Sequence, residues 1–163
     1  MYDIFSSFVS GLYQFGTSLG VGASTVVLVT WLIAQVDGSI SKDEGRLLGA
    51  IYKILRIAMF AIGLALVLSH FGHTVTRDLQ YAMQWSLFGV LCMNAVMMTY
   101  HKMPMRFGPS LQAGTWYAQF FITVITVARL PEIVIMLIYI AWIFVVYLII
   151  HGILNTIHDG SRN

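Results

Sequence analysis

Apolar residues fall along this chain in five long runs, and the charged residues collect where the runs stop. A spanning helix needs about 20 apolar residues. On that measure the pattern predicts helices over 5–36, 41–71, 79–100, 116–127 and 131–157. Asp37-Gly38-Ser39 breaks the first of them, and Ser41 with Glu44 three positions later reads as a capping box that opens the second. The first turns of that second helix are charged, so they should stand proud of a membrane. The fourth run is short, with its core at 116–127, and Pro131 suits the first turn of the fifth helix because its missing N–H would be unbonded there anyway. The expected fold is all-α: a polytopic transmembrane helical bundle of five spans, one domain over 1–163, without internal repeat, low-complexity segment or linker.

Within the first run Gly16, Gly20 and Ser24 recur every four residues. Small residues at that spacing let a second helix backbone approach closely in lipid. This helix should pack centrally, and the stripe is a candidate surface for a second copy or a membrane-complex partner.

Composition supports the pattern. With 58% hydrophobic residues, 10% charged and a mean hydropathy of +0.80, the chain lacks the polar surface a soluble domain of 163 residues needs. The lipid bilayer is its expected solvent. A net charge of +2 carries no nucleic-acid signal; the cations report topology instead. Lys42, Arg46, Lys102, Arg106 and Arg162 fall on one side of the expected spans, and Arg77 and Arg129 on the other. Lys53 and Arg56 strengthen the first side. The positive-inside rule then puts the N-terminus outside and the C-terminus in the cytoplasm, with cytoplasmic loops at 37–46 and 102–110. Met1 to Phe15 has no cationic n-region, so the first helix is expected to stay in the mature protein.

Chemistry must come from polar groups at membrane depth, which are costly and tend to face a partner or a cavity. His101, about 22 residues down the third helix, and His151, about 20 down the fifth, reach the cytoplasmic border at similar height. Asn94 lies two turns above His101, and Lys53 and Arg56 enter the same layer from the second helix. Paired His on facing helices can hold a b-type haem, with basic residues near the propionates. Snorkelling Lys and Arg beside interfacial His would account for the same residues. A second layer at the outer end holds His70, His73, Gln80, Gln84 and Gln14, suited to hydrogen bonds between helices or, alternatively, to a metal or quinone. Met97, Met98, Met103 and Met105 around His101 have the soft ligands that suit Cu(I), yet Met also fills apolar helices. Tyr2, Tyr13, Tyr100, Trp116 and Tyr117 are expected at the interfaces as depth anchors. The lone Cys92 excludes a disulfide within the monomer and a four-Cys cluster. An EF-hand reading of Asp37 to Glu44 fails because its first and third ligands would be Ile33 and Gln35.

The stretch Gln14 to Ser24, then Asp37-Gly38-Ser39-Ile40-Ser41-Lys42-Asp43-Glu44 and the ending Val67-Leu68-Ser69-His70, resembles an uncharacterised group of small bacterial membrane proteins. That group is loosely similar to the copper-resistance D type and the membrane-integral protoporphyrinogen oxidase (HemJ) type, both bundles with intramembrane His. The resemblance is best over 14–70 and fainter over 94–104. It implies a helical bundle of a bacterial inner membrane, with haem b as a candidate cofactor. One departure bears on this: where such families tend to begin the first helix with His, this chain has Gln14, a poor iron ligand.

The simplest functional reading is a non-enzymatic membrane subunit or scaffold. A haem or tetrapyrrole protein, acting in electron transfer or porphyrinogen oxidation, requires His101 and His151 to converge. A small transporter or channel requires a polar path between the two layers. No carboxylate lies deep in any expected span, which argues against hydrolytic catalysis.

Overall fold

The computed structural model describes residues 2–37, 41–71, 79–100, 108–124 and 132–160. They form five α-helices: α1 (Tyr2–Asp37), α2 (Lys42–Phe71), α3 (Leu79–Thr99), α4 (Gly108–Val124) and α5 (Glu132–Gly160). Four of these, α1, α2, α3 and α5, are long and apolar enough to cross a membrane.

The expected capping box is present at the start of α2. The Ser41 backbone N–H donates to Glu44 Oε2 at 2.7 Å, and the Glu44 N–H donates to Ser41 Oγ at 3.3 Å. Two backbone donors that the first turn would otherwise leave unpaired are thereby satisfied.

The largest departure from expectation is α4. It begins at Gly108, eight residues before the expected 116, so part of the expected 102–110 loop is helix. Residues 125–127 lie outside the described residues. Ser110, Gln112 and Thr115 interrupt the apolar pattern, but Ser110 and Thr115 are fully buried among other helices. A polar helix face can be interior when its groups find partners there.

Packing follows from α1 and α4. The α1 helix runs along α2 and α4; α4 also packs against α3 and α5, so it lies between those two. The main core gathers Tyr13 and Val27 of α1, Leu55, Ala58, Ile62 and Leu66 of α2, Leu91 of α3 and Trp116 of α4. A smaller cluster joins Trp31 of α1 to Ile150 and Leu154 of α5.

The small-residue stripe is turned into this core. A Cβ on Gly16 would lie 2.8 Å from Ile62 Cγ1 and 3.0 Å from the Ala58 carbonyl oxygen, and one on Gly20 would overlap the Trp116 ring. Ser24 is buried as well. The close approach expected of Gly16 and Gly20 is thus made within the chain, to α2 and α4.

Candidate functional site

Tyr13, Gln84 and Gln119 come from three different helices and meet inside the bundle. Gln119 is fully buried, and its Nε2 donates to the Tyr13 phenolic oxygen at 2.7 Å and to the Gln84 carbonyl oxygen at 3.4 Å. One turn toward the start of α4, Thr115 Oγ1 donates to the Leu111 carbonyl at 2.7 Å and lies 2.9 Å from Tyr139 Oη of α5. A hydroxyl has one proton, so Tyr139 is the donor in the second bond. The same argument makes Tyr117 the donor to Thr25 of α1 at 2.7 Å, because Thr25 Oγ1 already donates to the Val21 carbonyl. Trp142 Nε1 donates to the Gly114 carbonyl at 3.0 Å. Through these bonds α4 holds α1, α3 and α5 at once.

Each residue of this seam is placed by helix periodicity. Thr115 and Gln119 are four apart and share a face of α4, while Trp116 lies beside them over Gly20. Among the described residues, the amide oxygens of Asn94, Gln112 and Gln119 are buried without a hydrogen-bond partner. In chemical terms the seam is neutral: amides, hydroxyls and an indole that hold helices together, with no charged side chain in the set.

The sequence-predicted residues are distributed differently. Asn94 is buried on α3. Lys53 and Arg56 are exposed on α2, and His151 is exposed on α5, stacked on Tyr147 with ring centroids 6.0 Å apart and planes at 4°. His101 lies outside the described residues, so the expected His101–His151 pair does too. In the outer layer Gln84 contributes its backbone carbonyl, not its side chain, to Gln119, whereas Gln14 is exposed and His70 is exposed at the end of α2, edge-on to Phe71. His73 and the Gln80 side chain lie outside the described residues. Among the described residues no three His, Cys, Asp or Glu side chains gather as a metal site.

Two aromatics expected as interface anchors are covered by other helices of the bundle. Tyr13 is 7% exposed and Trp116 1%. Tyr13 sits next to Gln14, the residue singled out from sequence, and Gln119 lies in the middle of an apolar run. An amide inside an apolar run is the signal that could have found this seam. No family model, no curated protein and no solved structure matches the chain.

Proposed function

We propose that this chain is a non-enzymatic, multi-pass subunit of a bacterial inner membrane, with five spans, the N-terminus outside and the C-terminus in the cytoplasm. The observation that supports this reading is the state of α5. Within Ile133–Thr156 an 18-residue window has a mean hydropathy of 3.0, yet only 6% of that window is buried within the chain, against 44% of the corresponding window of α1. In water such a helix would be the most covered element, because a large exposed apolar face marks a surface that meets lipid or another protein. Leu137, Phe144, Leu148 and Ile149 lie on that open face. The polar groups of α4 are the complement: they act inward, helix to helix, and leave α5 free to present hydrocarbon.

A photo-crosslinking side chain at Leu148, in cells expressing the protein at its natural level, tests the subunit reading. The expected product is an adduct with a membrane polypeptide, with a crosslinker at Phe60 on α2 giving lipid adducts instead. Lipid adducts alone at Leu148 would overturn it. Orientation is tested separately, in a Cys92→Ser background, by single Ser39→Cys and Thr74→Cys reporters. They should label from opposite sides of the membrane; labelling from one side would refute the topology.

A further inference from the structure

The outward stripe of α2 changes its chemistry halfway along. At about 100° per residue, Lys42, Arg46, Lys53 and Arg56 fall on one face of the helix, and all four are exposed. Further along, the same face carries Phe60 (71% exposed), Val67 and Phe71 (75% exposed). The opposite face, from Ile51 through Leu55 and Ile62 to Leu66, is buried in the bundle. Gly49, between the two pairs of cations, has open space where a side chain would be.

The two pairs of cations differ in their surroundings. Arg46 lies 3.7 Å from the Asp43 carboxylate. Lys53 and Arg56 have no carboxylate or hydrogen-bond partner among the described residues, and residues 45–77 contain no Asp or Glu. Ile54 and Ile57 beside them are also exposed. Two cations are therefore held outward on an apolar helix with nothing among the described residues to neutralise them. In hydrocarbon that arrangement is costly; at its boundary it is relieved when the side chains reach head-group oxygens.

Depth places them at that boundary. Counting back from Phe71, about 20 residues of helix cover a hydrocarbon core of roughly 30 Å and end near Tyr52. Lys53 and Arg56 then sit in the first turn or so inside the border, within side-chain reach of the phosphates, while Lys42 and Arg46 stand on the aqueous side. The spacing of three residues brings their side chains onto one patch. An ammonium and a planar guanidinium on one patch match a phosphodiester, which Arg grips through two parallel N–H bonds.

We propose that Lys53 and Arg56 form a binding site for the head-group phosphate of an anionic phospholipid, in the leaflet that receives the N-terminal end of α2. The site lies on a different helix from the open face of α5 and does not depend on the subunit reading.

Native mass spectrometry of the full chain, released from mixed phosphatidylglycerol and phosphatidylcholine micelles, tests this directly. The expected result is retention of phosphatidylglycerol over phosphatidylcholine, on the order of tenfold for two cations at a membrane surface. The variant Lys53→Gln/Arg56→Gln should lose the preference while keeping the wild-type melting temperature in phosphatidylcholine. The charge-conserving Lys53→Arg/Arg56→Lys should keep it, which guards against a folding defect in the first variant. Equal retention of the two lipids by the wild-type chain would overturn the proposal. So would a preference that survives Lys53→Gln/Arg56→Gln and disappears in Lys42→Gln/Arg46→Gln. Capture of an acidic membrane polypeptide at this face, with no lipid selectivity, would reassign the patch to a protein partner and overturn it as well.

Discussion

The helices α4 and α5 are neighbours with opposite characters. The α4 helix is the shortest of the five at 17 residues, carries Ser110, Gln112, Thr115 and Gln119, and is largely interior. By contrast α5 has 29 residues, is the most apolar, and is the least covered. A soluble protein would invert this order. Where the solvent is itself hydrocarbon, apolar area gains little by turning inward, and helix contacts are set by close packing and hydrogen bonds. Gly20 under Trp116 and Gln119 against Tyr13 illustrate the two devices.

Four substitutions break or sharpen this contrast. The largest effect is expected from Trp116→Ala, which empties the space over Gly20 in the main core. A loss of about 3–5 kcal/mol should be visible as a large drop in melting temperature in detergent. A drop no greater than that of a surface change would mean the indole is not packed. Next is Gly20→Leu, whose side chain must enter the Trp116 ring; overpacking should cost roughly 1–3 kcal/mol. An unchanged melting point would place the glycine stripe on an outer face. Gln119→Leu removes the amide that donates to Tyr13 and Gln84, and a stability loss of about 0.6–2 kcal/mol is expected. A more stable variant would show that the seam is kept for something other than stability. Smallest is Leu148→Ala on the open face of α5, which should stay within about 0.5 kcal/mol. If it rivals Trp116→Ala in the purified protein, α5 is covered by a second copy even there.

Hydropathy made α1, α2, α3 and α5 legible to within a few residues, and the Ser41–Glu44 pair located the start of α2 because capping is a local, three-residue signal. The same method hid the first half of α4. It treats Ser110, Gln112 and Thr115 as loop-like, and only tertiary contacts show two of them to be interior. The seam was hidden for a different reason: Gln119 and Tyr13 are 106 residues apart, so no spacing rule connects them. Depth arithmetic placed His101 and His151 at one level, and His101 lies outside the described residues. The small-residue stripe was read correctly as a close contact, although its direction depended on the Trp116 ring and the α2 backbone, which no local pattern reveals.

The opposed placement of α4 and α5 is open to one direct measurement. The chain has four Trp, of which Trp116 alone would remain after Trp31, Trp85 and Trp142 are changed to Phe. A second protein has all four changed to Phe together with Leu148→Trp. Both are reconstituted in bilayers with brominated acyl chains, which quench indole fluorescence on contact. Trp116 should be nearly unquenched and the indole introduced by Leu148→Trp strongly quenched. Equal quenching of the two would contradict an interior α4 beside an outward-facing α5.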